Sequence, residues 1–214
     1  MKLYYSPGSC SWACHIVLDE AASAAGFAYE TQLVSAMDGS ASKPEHLARN
    51  PKAQVPVLED GAFTLTEGAA IMVYLANCYP QAKLLSGDAT HLARTMEWLS
   101  WLSSAVHAQH VGMIWRAGRF SDDATAQATV TAKGKLHIAK SFATIDAKLA
   151  GKTWAVDEQF GVVDAFLVVF YRWGNRMGID MAAQHPAWAA HTASMLARAS
   201  VQKTMAAEGI AITG

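Results

Sequence analysis

Cys10 is the residue whose type and position could do chemistry. In MKLYYSPGSCSWACH an apolar run, Leu3 to Tyr5, stops at Ser6-Pro7-Gly8-Ser9, and an amphipathic pattern runs from Ser11 to about Ala25. That order predicts a strand, a turn and a helix, with the thiol at the turn. The first turn of a helix carries backbone N–H groups without intrahelical partners and the positive end of the helix dipole. A thiolate is favoured there, so the Cys10 pKa is expected below the free value of about 8.5. The competing reading is a small, packed, inert thiol, as free cysteines often are.

A second set of candidates lies on a later helical stretch. Glu97, Ser100, Ser104 and His107 recur at spacings of three, four and three, which keeps them on one helix face, beside an apolar stripe of Leu92, Met96, Leu99 and Val106. A solvated surface explains such a stripe equally well. If it faces Cys10, His107 is suited to polarise the thiol or accept its proton, since imidazole titrates near neutrality. Trp12, Met113 and Trp115 are large apolar side chains able either to pack in the core or to line a pocket for an apolar molecule. His15 reads as packing, and Cys14 lacks the CxxC spacing of a redox pair.

These residues need elements to hold them. A second strand is expected over Ala28 to Val34 and a short helix over Pro44 to Arg49. A third strand follows, Gln54 to Leu58, with Pro56 near its start, where a missing ladder donor is tolerable. Asp60-Gly61 turns it into Ala62 to Leu65, and Thr66-Glu67-Gly68 opens a helix from Ala69 to about Tyr79 that Pro80 closes. Residues 1–80 thus read as a small α/β domain and 81–90 as a linker. From residue 91 to 214 the pattern is all helical, over His91 to Trp115, Thr125 to Leu149, Val163 to Met177 and His185-Pro186 to about Ala207. Val163 to Met177 is apolar nearly all round, which predicts a helix buried on every side.

Composition narrows the partners. Seventeen basic and eighteen acidic residues in 214 give a net charge of −1 with no basic block, so neither nucleic acid nor an anionic membrane surface is the expected partner. Three cysteines without zinc-ligand spacing, and Met1-Lys2 leading straight into a strand, point to a reducing cytoplasm and to no metal. The most continuous apolar run, Ala165 to Tyr171, is far shorter than the roughly 20 residues that span a bilayer.

Four segments, in order, carry a resemblance over essentially the whole chain. MKLYYSPGSCS, NPKAQVPVLEDG, LTEGAAIMVYLA and FGVVDAFL resemble those of a cytosolic glutathione transferase, most similar to the bacterial beta class, which has a cysteine where Cys10 stands. The resemblance implies an α/β thioredoxin-like N-terminal domain plus an all-α C-terminal domain, and a homodimer. It makes Pro56 a cis proline and Val55 the residue whose backbone pairs with the cysteinyl part of glutathione. Glu67 and Gly68 become the holders of the γ-glutamyl group, the carboxylate facing its ammonium and the helix N-terminus its carboxylate. It sets His107 across the cleft from Cys10, with Ser100 and Ser104 as polar contacts to glutathione.

The implied activity joins glutathione, as co-substrate, to a small apolar electrophile, or runs thiol-disulfide exchange or peroxidase chemistry through a Cys10-glutathione mixed disulfide. Two other readings stay open. Ser9-Cys10-Ser11-Trp12 also resembles the zeta class, glutathione-dependent isomerases of maleylacetoacetate, and the scaffold could serve a non-catalytic ligand-binding protein. The chain departs from the beta pattern at three points. The loop Val34 to Ser40 lacks the family's lysine, Ala108 replaces another, and Gly161 stands at the cap position ahead of Asp164. A lost charge-assisted bond is expected to weaken glutathione binding by about 1.5 to 3 kcal/mol, and the glycine cap to cost only a few tenths.

Overall fold

A computed structural model describes residues 1–213. All four strands fall in the first third of the chain and form one sheet in the order β2-β1-β3-β4. β1 (Lys2–Tyr5) lies beside β2 (Glu30–Leu33) in parallel, Leu3 opposite Thr31, and beside β3 (Val57–Asp60) antiparallel, Leu3 opposite Leu58. β4 (Phe63–Thr66) closes the hairpin, with Gly61 at φ +59 in its turn. The parallel pair needs a crossover, and α1 (Ser11–Ala25) supplies it, ending where Gly26 at φ +72 donates to the Ala22 carbonyl. Two strands are shorter than their sequence patterns suggest. β2 is an exposed edge strand of four residues, and β3 starts only after Pro56, because the chain comes out of a Pro51–Lys52 turn, closed by the Ala53 N–H on the Asn50 carbonyl, through irregular backbone.

α2 (Pro44–Arg49) and α3 (Gly68–Cys78) complete this region, and α3 packs against α1. Beyond them, apart from one isolated bridge between Val156 and Gln159, the regular elements of the described residues are helices. α4 (Ala89–Trp101) starts at Asp88, whose carboxylate accepts from the N–H groups of Thr90 and His91 at 2.9 Å. It runs on as a π-helical segment, Leu102–Val111, then a short α5 (Gly112–Trp115) and a 3₁₀ turn, Ala117–Arg119. The expected single helix over residues 91–115 is therefore a helix that changes its winding. α6 (Ala124–Leu149) is capped by Asp123, and α8 (Met181–Gln184), α9 (Pro186–Leu196) and α10 (Ala199–Glu208) follow the central α7 (Val162–Arg176). The expected last helix is split at Ala197-Arg198, because Arg198 turns extended and binds Glu20 of α1 at 2.8 Å.

Every residue of α7 from Val162 to Gly174 is buried, as the all-round apolar pattern requires. Asp164 anchors its start: one carboxylate oxygen accepts from the Gly161 N–H at 2.8 Å, the other from the Ala155 N–H at 2.9 Å and lies 2.8 Å from His191 Nε2. Gly161 is more than a tolerated cap. A Cβ there would stand 2.8 Å from the Leu84 carbonyl oxygen, so the close passage of the two segments excludes the serine or threonine that a stronger cap would use. No described helix is long and apolar enough to cross a membrane.

Candidate active site

The turn before α1 is built by local bonds and fastened by distant ones. Ser11 Oγ donates to the Ser6 carbonyl at 3.2 Å and lies 2.8 Å from Ser9 Oγ, while the Ser9 N–H returns to Ser6 O at 3.1 Å. Gly8 sits at φ +62, and a Cβ there would meet Arg172 Nη1 at 2.5 Å. Its carbonyl accepts from Trp173 Nε1 at 2.9 Å and Arg172 Nη1 at 3.3 Å, and its N–H donates to Glu208 Oε2 at 2.8 Å. The other oxygen of Glu208 lies 2.9 Å from His15 Nδ1. Two helices far along the chain, α7 and α10, thus hold the turn that carries Cys10.

The facing wall is the segment before β3. Asn50 Nδ2 donates to the Gln54 carbonyl at 2.8 Å, His46 Nε2 lies 2.9 Å from it, and the Val55–Pro56 peptide is cis. Cys10 Sγ donates to the Val55 carbonyl at 3.7 Å. At the start of α3, Glu67 adopts φ +72, an uncommon conformation for a residue with a side chain, and pairs with Lys52. The third wall comes from the π-helical segment and the residues after it, with Ser103, His107, Arg116 and Arg119.

These walls enclose a cleft with two lobes. The smaller, about 160 Å³, is lined by Pro56, Glu67, Gly68 and Ser103, and the larger, about 360 Å³, by Met37, Trp115, Trp173 and Arg176. Cys10, Val55, His107, Arg116 and Arg119 border both. Of the candidates read from the sequence, Cys10, His107, Val55, Pro56, Glu67, Gly68 and Trp115 come together here.

Four do not. Trp12 is fully buried, with its indole N–H on Thr204 Oγ1 at 3.0 Å, and belongs to the core between α1 and α10. Met113 packs toward α6, where the space that a Cβ on Gly134 would need is 2.8 Å from Met113 Cβ. Ser100 and Ser104 are exposed outside both lobes, Ser104 Oγ donating back to the Ser100 carbonyl at 2.7 Å. The π-helical winding is the reason. Its wider turns hold more than the 3.6 residues of an α-helix, so the cleft face runs Ser103, His107, Gly112, Arg116 instead of Ser100, Ser104, His107. Sequence reasoning also missed Ser103, Arg116, Arg119 and Trp173. Trp173 sits in a run that reads only as core, and WRAGR reads only as the end of a helix.

The titration behaviour corrects a further expectation. Although part of Cys10 reaches the cleft surface, loss of water around its sulfur pushes the thiol up to about 11, and the nearby Arg116 charge offsets this only in part. The helix end contributes about 0.3–2 kcal/mol, roughly one pKa unit, whereas burial can move a group by about 3 to 5 units. Burial wins, and the bond to Val55 O also favours the protonated form. His107 is pulled down to about 4, by burial first and then by Arg116 and Arg119. It packs tilted on Trp173, ring centroids 5.0 Å apart, and among the described residues no hydrogen bond joins it to Cys10. At pH 7 the resting pair is a thiol and a neutral imidazole. Because the folded-state pKa is raised, the proton stays on Cys10 past the pH at which a free thiol loses it. Iodoacetamide at pH 7 is accordingly expected to label exposed Cys78 first, with Cys10 labelling climbing about tenfold per pH unit up to pH 10. Peptide mass spectrometry reads both rates, and a Cys10 rate that levels off below pH 8 would contradict the burial argument.

Comparison with known proteins decides the family. Residues 1–77 match the family described as glutathione S-transferase, N-terminal domain, and residues 103–199 match glutathione S-transferase, C-terminal domain. The chain belongs to the glutathione S-transferase family. Glutathione S-transferase GST-4.5 of Xanthomonas campestris is 32% identical over 98% of this chain and all of its own length. A sphingomonad glutathione S-transferase complexed with glutathione superposes with a TM-score of 0.83 at 33% identity, covering 99% of this chain and 100% of that one. The bacterial beta class enzyme of Sphingomonas chungbukensis gives 0.82 at 31% identity, again over 99% and 100%. The sheet of the glutathione S-transferase N-terminal region is the thioredoxin-like part, and the helical region from α4 onward supplies the third wall of the cleft.

Proposed function

We propose that this chain binds glutathione in the smaller lobe with its thiol beside Cys10, and transfers it to an electrophile seated in the larger lobe. The observation that carries this is the shared wall: Cys10, Val55 and His107 border both lobes, so a sulfur placed there faces either occupant. The γ-glutamyl ammonium meets the Glu67 carboxylate, and its carboxylate meets the N–H groups of the first turn of α3, which have no intrahelical acceptor. The Val55 backbone bonds the cysteinyl unit. In doing so it competes for the carbonyl that Cys10 now donates to, and releases the Cys10 S–H to bond the glutathione sulfur.

Conjugation is favoured over disulfide exchange. Exchange through Cys10 needs its thiolate, which burial opposes, whereas conjugation needs the thiolate of the ligand. Arg116 favours that anion, so the thiol proton goes to solvent before attack, and the S–C bond forms as the leaving group, a halide in an aryl halide, departs. Neutral His107 leaves the positive charge on Arg116 unopposed and is too weak a base to hold the proton. Arg116 and Arg119 also provide positive charge that the loop over residues 34–40 lacks, which supports glutathione affinity despite the absent lysine. A cytoplasmic setting fits three free thiols. The exposed Leu92 and Met96 on α4 and Leu136 on α6 support a homodimer, to be checked by sedimentation against the 22.9 kDa chain mass.

Calorimetric titration with reduced glutathione tests the reading. Binding in the micromolar to low millimolar range is expected, together with consumption of glutathione thiol in the presence of an activated aryl halide. Binding without any thiol consumption would leave a ligand-binding protein on this scaffold, and no binding would remove the reading altogether.

A further inference from the structure

The chain has seven arginines, and four of them are engaged: Arg49 with Glu59, Arg94 with Glu97, Arg198 with Glu20, and Arg172 with the carbonyls of Gly8 and Ala211. Among the described residues the other three, Arg116, Arg119 and Arg176, make no ion pair, and all three line the larger lobe. No aspartate or glutamate lines that lobe. Burial, and then the neighbouring Arg119 charge, lower the Arg116 guanidinium from its usual value. Three exposed, unpaired cations around one concavity make it a positive patch suited to an anionic ligand.

Glutathione does not use up that positive charge. Its γ-glutamyl carboxylate and ammonium fall in the smaller lobe, which leaves one glycyl carboxylate and, on activation, one thiolate for three guanidinium groups. Arg116 is the arginine whose charge acts on Cys10, so it is the one matched to the thiolate. Arg119, which like Arg116 also borders the smaller lobe, is matched to the glycyl carboxylate, and Arg176, which borders only the larger lobe, is matched to neither. Its guanidinium lies 5.6 Å from the ring centre of Trp115, which in turn stands edge-on to Trp173 at 5.4 Å. A cation at the rim of an aromatic platform recognises a flat body carrying an anionic group.

We propose that the second substrate is an organic anion, an aryl compound bearing a carboxylate or sulfonate, with its ring on the exposed Trp115 and its charge on Arg176. This rests on the transferase reading and replaces the small apolar electrophile expected from the sequence. It makes Arg176 a specificity-determining residue.

The test separates binding from turnover. The protein is saturated with S-methylglutathione, which cannot react, and quenching of tryptophan fluorescence is titrated with 4-chloro-3-nitrobenzoate and with its methyl ester. The benzoate is expected to bind at least about tenfold more tightly at low salt, with the gap closing as salt is raised. Arg176→Gln should cut the preference about fivefold or more, Arg176→Lys should retain most of it, and Arg176→Glu should reverse it. Equal binding of acid and ester, or no binding of either, overturns the proposal. So does a set of Arg119→Gln and Arg176→Gln variants that weaken glutathione while leaving the acid-to-ester ratio alone, since the glycyl carboxylate then accounts for the charge. Turnover with reduced glutathione is read separately. A binding preference without thiol consumption sinks the transferase reading and keeps the anion subsite, and equal turnover of both compounds with equal binding does the opposite.

Discussion

Asp164→Ala is expected to destabilise the protein by about 3 to 5 kcal/mol, out of a total of about 5 to 15 for a folded domain. The carboxylate is buried and accepts from the N–H groups of Gly161 and Ala155, with His191 as its third partner. Removing it orphans three polar groups that water cannot reach, each costing about 1 to 3 kcal/mol, partly relieved by local relaxation. The loss falls at the start of α7, whose first thirteen residues are all buried, so the helix cannot fray there without opening the core. Thermal unfolding should show a midpoint about 10 °C lower. Asp164→Asn keeps one acceptor oxygen and should lose about half as much. A midpoint within 2 °C of wild type for the alanine variant would show that the three bonds contribute little.

Glu208→Ala should cost about 2 to 4 kcal/mol and reduce conjugation by an amount out of proportion to that loss. Its carboxylate joins two buried groups, the Gly8 N–H and His15 Nδ1, from a helix roughly two hundred positions away in sequence. Once it is gone, Gly8 keeps only the Arg172 and Trp173 contacts on its carbonyl, and the turn otherwise rests on its local serine bonds and on the Cys10–Val55 contact. A displacement of about 1 Å at a reacting group can lower a rate on the order of a hundredfold. The expected signature is a fall in kcat at a temperature where the variant is fully folded, with a changed alkylation rate at Cys10 and little change at Cys78. Glu208→Gln, which retains an oxygen for Gly8, should recover most of the rate. If the alanine variant loses stability but keeps its kcat, Glu208 is a structural tie and does not position the thiol.

The legible parts of the site are those with a local cause. A strand, a Pro-Gly turn and a helix start place Cys10 at a junction whatever the rest of the molecule does, and Asp60-Gly61 forces the hairpin that presents Val55 and Pro56. Gly68 and Glu67 open α3 because an apolar helical run begins just after them. Ser100 and Ser104 were misplaced for an equally definite reason. A 3.6-residue period was laid on a segment that winds more widely, so Ser103 takes the cleft position one register step away. Trp12 and Trp173 show the other limit, since composition alone does not say which of two tryptophans on buried helices reaches the cleft. Trp12 is bonded to Thr204 inside the core, and Trp173 reaches over the turn to Gly8.

The strand order, the helices through α3, the helical character of the rest and the cysteine at the turn were determined by the sequence alone, because periodicity, caps and turn residues act over a few neighbouring positions, and the family was legible in four segments that resemble its members in order. The protonation of Cys10 and His107, the tie from Glu208 to Gly8 and the gathering of Arg116, Arg119 and Arg176 on one lobe were decided only by the tertiary structure. Desolvation and Coulomb interactions depend on distances through space between residues far apart in the chain, and no local pattern encodes those distances.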